Sequence, residues 1–342
     1  MLLLAYALVI IVSTAAVWHG SLKLEAAACS LAAHYRLPAV VQGSIIMAVG
    51  SSFPELSSIV IATLIHGKFD LGVATIVGSA IFNILVIPGL SGIIGKDLET
   101  TRDQVYKDAL FYIISVTVLL LTFAFALIYY PVEGTRWQGS VTRPIALIPL
   151  ALYCLYIFLQ QQDTVEYQAQ MKAEGCWPET AANTRKLWLQ LVFSLAIIAL
   201  GVEGLVRSAI ALGDLLNTPS FFWGLTIIAA ATSLPDAFVS IQSARRGEGV
   251  VSIANVLGSN IFDLLVAIPV GVLIAGSSVI NFAVAAPTMG ILTLATIVLF
   301  TMLRTQLRIT RTECAVLLVL YAVFILWTGL ETFGVIDFMF VL

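Results

Sequence analysis

Three carboxylates stand inside long apolar runs: Glu55, Asp236 and Asp263. An acid within a membrane span costs at least about 2.5 kcal/mol on insertion scales, so each of them calls for a functional reason. Each is accompanied by hydroxyls at helical spacing. Ser51, Glu55 and Ser58 share one helix face, as do Thr232, Asp236 and Ser240. Ser79 precedes Asn83 by four residues, and Ser259 precedes Asp263 by four. Pro54 and Pro235 stand directly before two of the acids, and a proline frees the carbonyl four residues upstream, here those of Gly50 and Ala231. Helices broken at these prolines would turn backbone oxygens toward whatever the acids bind. Carboxylate, hydroxyl, amide and carbonyl oxygens, with no His or Cys among them, suit hard cations such as Ca2+, Na+ or Mg2+ and disfavour zinc or copper.

The elements that carry these residues are membrane helices. The chain has 342 residues, of which 60% are hydrophobic and 11% charged, with a mean hydropathy of +1.01. A soluble domain is about 45–50% apolar and about 25% charged, so this composition excludes a cytosolic enzyme, a nucleic-acid binder and a disordered chain. The net charge of −3 says nothing about partners, because in a membrane protein the placement of charges matters more than their sum. The four cysteines (Cys29, Cys154, Cys176, Cys314) have no CxxC spacing and read as small apolar fillers.

A crossing helix needs about 20 residues. Ten apolar runs meet that length, over 2–33, 38–65, 70–94, 105–130, 143–160, 186–212, 221–245, 250–275, 279–303 and 311–330. The first lacks a basic start and a cleavage site, so it reads as a span rather than a signal peptide. With the N-terminus outside, 13 of the 17 basic residues fall on the inner side, against Lys68, Arg136, Arg143 and Arg207 outside. That bias predicts both termini outside. The polar stretch 161–185 then forms a cytoplasmic linker loop between a first five-helix half, 1–160, and a second, 186–342.

The halves repeat one another. AVGSSFPE (48–55) matches AAATSLPD (229–236), and VGSAIFNIL (77–85) matches LGSNIFDLL (257–265). Glu55 thereby pairs with Asp236, Ser79 with Ser259, and Asn83 with Asp263. Upstream, Gly20 and Lys23 pair with Gly204 and Arg207. The motif helices are the second and seventh spans, five crossings apart, so the copies insert in opposite directions. Inverted repeats with a site at their midplane interface are the architecture of many secondary transporters.

Other polar residues have simpler explanations. Gly78 and Gly258 are packing positions. Glu203 and Arg207, four apart on the sixth span, form a local ion pair. Lys23 and Glu25 snorkel toward the inner surface, and His19 and His66 lie at helix ends in the interface.

At these motifs the sequence resembles the cation/calcium antiporter superfamily, the sodium/calcium exchangers. GSIIMAVGSSFPELSSIVIATLIHGKFDLGVATIVGSAIFNIL (43–85) and GLTIIAAATSLPDAFVSIQSARRGEGVVSIANVLGSNIFDLL (224–265) look like that family's two α-repeats. The resemblance implies an all-α membrane fold of ten helices in two inverted five-helix repeats. Spans 2, 3, 7 and 8 would surround the ions, and the long spans 1 and 6 would slide across that core. It implies that Glu55 and Asp236 are central calcium ligands shared with sodium, and that Asn83 and Asp263 complete the middle position. Ser51, Ser52, Ser79, Thr232, Ser233 and Ser259, with the carbonyls of Ala48 and Ala229, would line flanking sodium sites. Two departures, Ala231 in place of the usual glycine and Phe53 in place of a smaller residue, would narrow the cavity. The pairing of SLPD with GSNIFD looks most like the potassium-dependent exchangers, and microbial members also carry aspartate at the Asp263 position.

The expected function is exchange of Ca2+ for Na+ by alternating access in a multi-pass protein of the plasma (inner) membrane. No Walker motif, no resident cofactor, and no nucleotide, nucleic-acid or obligatory protein partner enters this expectation. The alternatives are a Ca2+/H+ antiporter of the same fold, potassium-dependent exchange, a passive channel, and an intramembrane aspartyl protease. The last would need a GxGD motif, which the sequence lacks.

Overall fold

The computed structural model describes residues 2–34, 48–95, 98–102, 104–171 and 184–336. The first half contains α1 (Leu2–His34), α2 (Ala48–Ser51), α3 (Phe53–Leu64), α4 (Phe69–Ile94), β1 (Leu98–Glu99), α5 (Ala109–Tyr129), β2 (Gln138–Thr142) and α6 (Arg143–Met171). The second half contains α7 (Thr184–Leu216), α8 (Ser220–Trp223), α9 (Ala229–Arg245), α10 (Gly249–Phe262), α11 (Ile268–Ala275), β3 (Ser277–Asn281), α12 (Phe282–Gln306), β4 (Arg308–Ile309) and α13 (Arg311–Thr332). Nine helical spans among the described residues are long and apolar enough to cross a membrane. The remaining expected span, 38–65, is described from Ala48 onward as α2 and α3.

The fold is therefore an all-α membrane protein, and its symmetry is visible in the connections. β2 pairs antiparallel with β3, joining the α5–α6 connection to the α11–α12 connection. β1 pairs with β4, joining the α4–α5 connection to the α12–α13 connection. Under the repeat relation β1 corresponds to β3 and β2 to β4, so each ribbon is the image of the other. The long helices α1 and α7, 33 residues each, are likewise equivalent and pack on one another. Glycine permits that approach. A Cβ at Gly20 would sit 2.7 Å from Ile198 of α7, and one at Gly201 would sit 2.9 Å from the Ser13 carbonyl of α1.

Two apolar clusters hold the helices. The larger runs through α4, α5 and α9–α13 and includes Ile84, Tyr112, Leu265 and Met289. The smaller is the seam of the α1–α7 pair, with Val17, Leu24, Ile198, Val202 and Leu205 against Ile61 and Ala62 of α3. Polar residues inside apolar helices satisfy themselves locally: Thr288, Thr296 and Thr328 donate to carbonyls one turn back.

One element departs from expectation. Residues 161–171 are not loop; they continue α6 to Met171. The segment QQDTVEYQAQM has no Gly or Pro and is rich in residues that favour helix, so polarity marks where the apolar span ends rather than where the helix does. The rest of the expected linker, 172–183, lies outside the described residues.

Candidate functional site

The two motifs meet in the middle of the protein. α3 carries Glu55, α4 carries Ser79 and Asn83, α9 carries Thr232, Ser233 and Asp236, and α10 carries Ser259. Asp263 opens a π-helical turn, Asp263–Ala267, between α10 and α11. A second π-turn, Gly224–Ile228, leads into α9. Two of the three π-turns among the described residues thus lie next to motif residues, as π-turns often do at functional sites, while the third, Gln104–Asp108, leads into α5.

The prolines act differently in the two repeats. In the first, the helix breaks at Ser52 between α2 and α3, and Pro54 occupies the first turn of α3, where its missing N–H costs nothing. In the second, Pro235 lies inside α9, which remains helical across it. The expected break at both prolines therefore holds for the first repeat alone. α4 and α9 cross tightly at Gly78, where a Cβ would stand 2.8 Å from the Ala229 Cβ. No described atom lies within 4 Å of a Cβ placed at Gly258, and residue 44, which the repeat sets opposite it, lies outside the described residues.

The hydroxyls cross-link the halves. Ser79 Oγ donates to Glu55 Oε1 at 3.2 Å and lies 2.7 Å from Ser233 Oγ. Ser259, the counterpart of Ser79, also reaches the other half, through different partners: its Oγ is 3.2 Å from Ser51 Oγ, and its carbonyl accepts from Ser52 Oγ at 3.5 Å. Thr232 Oγ1 donates to the Ala229 carbonyl at 3.2 Å. Glu55, Asp263, Asn83, Ser52, Ser79, Thr232 and Ser233 are 0% exposed, Asp236 and Ser259 1%, and Ser51 6%, so this is an interior site. Ala229 is buried beside them, whereas of Ala48 the structure describes only its place at the start of α2.

Among the described residues, six acceptor oxygens in this site have no hydrogen-bond partner: Glu55 Oε2, Asn83 Oδ1, both oxygens of Asp236 and both of Asp263. Ser51, Ser259 and Asn255 lie beside the Asp236 carboxylate, and Ser52 beside that of Asp263. The charges also feel one another, Glu55 with Asp236 and Asp263 with both. An unpaired buried charge costs several kcal/mol, on the order of the desolvation penalty of one ion. Such a set of oxygens has the chemistry to accept hard cations. Among the described residues no three acidic, His or Cys side chains converge as a ready-made metal centre.

Asn255, Asn260 and Tyr112 escaped the sequence reading. Asn255 donates to Ser240 Oγ at 3.1 Å and to the Asp236 carbonyl at 3.5 Å. Asn260 donates to the Ala80 carbonyl and to Tyr112 Oη. The available signal was the repeat itself: Asn255 and Asn260 stand where the first copy has Thr75 and Ala80. Glu25, expected to snorkel, is half-buried on α1, near enough to Asp236 for their charges to interact. His66, just past the end of α3 as expected, also bonds Glu203, and the Glu203–Arg207 pair forms as anticipated.

The sequence matches the sodium/calcium exchanger protein family over residues 5–161 and 186–330. It is 24% identical to the sodium/calcium exchanger MaX1 of Methanosarcina acetivorans, over 90% of this chain and 93% of that one. It is 28% identical to the inner membrane protein YrbG of Escherichia coli, over 80% of this chain and 81% of that one. The native YfkE structure shares the fold, with a TM-score of 0.71 at 16% identity, covering 94% of this chain and 91% of that one. With both repeats inside the matched ranges and their acids gathered at one buried site, the chain belongs to the sodium/calcium exchanger family.

Proposed function

We propose that this protein moves Ca2+ against Na+ through the buried site between its repeats, with Glu55, Asp236, Asp263 and Asn83 as the ion ligands. Ser51, Ser52, Ser79, Thr232, Ser233 and Ser259, with the Ala48 and Ala229 carbonyls, line the flanking positions. The observation that carries this reading is the set of six acceptor oxygens, on buried side chains, that have no hydrogen-bond partner among the described residues. Three carboxylates can neutralise one Ca2+ or several Na+, so the two ions compete for the same oxygens. An acid cluster left without counter-charge resists being sealed from water, which links occupancy to closure. The α1–α7 pair, held by its own apolar seam, is the element that slides over the core to expose one side or the other. No covalent step and no resident cofactor is required. We place the protein in the plasma (inner) membrane with both termini outside, on the strength of the basic-residue bias.

Proteoliposomes with imposed ion gradients test this directly. An outward Na+ gradient should drive Ca2+ uptake into the vesicles, and removal of Na+ should stop it. Uptake driven by a pH gradient alone, indifferent to Na+, would overturn Na+ as the counter-ion and establish proton coupling through the same carboxylates.

A further inference from the structure

Two of the places where the repeats differ are linked. Asn83 faces Asp263 in the alignment, and Ala80 faces Asn260. In space these residues touch. Asn83 Nδ2 donates to Asn260 Oδ1 at 2.9 Å, and Asn260 Nδ2 donates to the Ala80 carbonyl at 3.2 Å and to Tyr112 Oη at 3.1 Å. Asn83, Asn260 and Tyr112 are all 0% exposed.

We propose that Asn260, backed by Tyr112 of α5, is a positioning residue that holds the Asn83 amide with its carbonyl oxygen, rather than its NH2 group, toward the ions. The inference rests on the exchange reading above. A backbone carbonyl only accepts, so the Ala80 oxygen fixes which end of the Asn260 amide it meets. Asn260 Oδ1 must then face Asn83, and Asn83 must offer its NH2 in return. Its Oδ1 is left pointing away, and that atom is one of the six unpaired acceptors. A flipped Asn83 would aim two N–H dipoles at a cation and repel it. The asymmetry supports the assignment. A carboxylate has two equivalent oxygens and needs no such control, and opposite Asp263 the equivalent position is Ala80, which has no side chain able to give it. The clamp exists only where the ligand is an amide.

The test is Ca2+ binding to the purified full-length protein, by titration calorimetry with CaCl2, alongside thermal unfolding. Outer-sphere partners of metal ligands typically contribute 10–100-fold in affinity, so Asn260→Ala should weaken Ca2+ about tenfold. Tyr112→Phe keeps its ring and loses one hydrogen bond, so it should weaken Ca2+ about threefold. In an Asn83→Ala background neither change should weaken binding further. Additive losses in that background, or unchanged affinity with lowered thermal stability, would overturn the clamp. If Asn260→Ala does not fold, Tyr112→Phe carries the same cycle. Glu55→Gln is the control. If it binds Ca2+ as the parent does, the exchange site itself is wrong and the clamp falls with it; if it abolishes binding while the cycle is additive, only the clamp fails.

Discussion

His66 Nε2 lies 3.0 Å from Glu203 Oε2, tying the end of the α3 region to the middle of α7. Glu203 is also bound by Arg207 one turn along its own helix. The first contact joins the core to the long-helix pair, whereas the second stays within α7. If α7 slides during transport, the His66 bond must break and the Arg207 bond need not. His66 and Glu203 are 18% and 19% exposed, and a hydrogen bond to a charged group there contributes about 1.5 kcal/mol. His66→Ala should therefore shift the balance between the two access states roughly tenfold, read as a change in distance distribution between spin labels on α4 and α7. Arg207→Ala, at an exposed position, should leave that distribution close to the parent's. Identical distributions for His66→Ala and the parent would mean that α3 and α7 move together.

Glu55→Gln and Asp236→Asn should abolish Ca2+ exchange while the protein stays folded. Each keeps the shape of the side chain and removes a buried charge that has at least one unpaired oxygen. Removing such a charge relieves a desolvation cost, so the ion-free variants should unfold no lower than the parent. The stabilisation that Ca2+ gives the parent should vanish. Thermal unfolding with and without CaCl2 reads both effects. Full exchange in either variant would dismiss that residue as a ligand.

Gly78→Ala should be costly for a purely steric reason. Its Cβ would overlap the Leu225 backbone and stand 2.8 Å from Ala229 Cβ, where α4 meets the start of α9. Overpacking of this kind typically costs about 1–3 kcal/mol. A lowered unfolding temperature is the expected result, and exchange should fall with it because the same crossing sets the spacing of Ser79 and Ser233.

Much of this was legible in the sequence for one physical reason: a carboxylate in an apolar run is too expensive to be incidental. Glu55, Asp236 and Asp263 stand out on that ground, and the repeat then brings in Ser79, Ser259 and Asn83. The span boundaries follow from apolar length, and nearly all lie within a few residues of the helix ends. What was hidden is long-range and amide-based. Asn260 reaches Tyr112 across 148 residues, and His66 reaches Glu203 across 137, and no local pattern encodes either contact. The single break at Ser52 was hidden too, because both repeats carry proline at the same place and only the surrounding packing decides whether a helix restarts there or runs through.

Topology is open to an independent check. Cysteines introduced at 161–185 should react with an impermeant maleimide only from the cytoplasmic side, and those at Glu133 or Thr135 only from outside. The opposite pattern would show that the positions of Lys and Arg misreport the orientation.

Asp263 and Asn83 are the one pair in the site where the repeats differ in charge. Both Asp263 oxygens have no hydrogen-bond partner among the described residues, and Ser52, at the break in the first motif helix, lies beside the carboxylate. Glu55 and Asp236 together supply two negative charges, enough to neutralise one Ca2+ without Asp263. The third acid is then the one available to hold a co-transported monovalent ion. On that arithmetic Asp263→Asn should weaken Ca2+ only modestly, within about tenfold, because a neutral amide oxygen still offers a ligand. The sodium dependence of exchange should change, and any stimulation by potassium should disappear. A variant with no Ca2+ exchange at all would instead make Asp263 an obligatory calcium ligand. Loss of a pH dependence that the parent shows would make it the proton carrier. Exchange by Asp263→Asn, measured across potassium, sodium and pH series, separates these outcomes, and unchanged potassium and sodium dependence would remove Asp263 from the monovalent site.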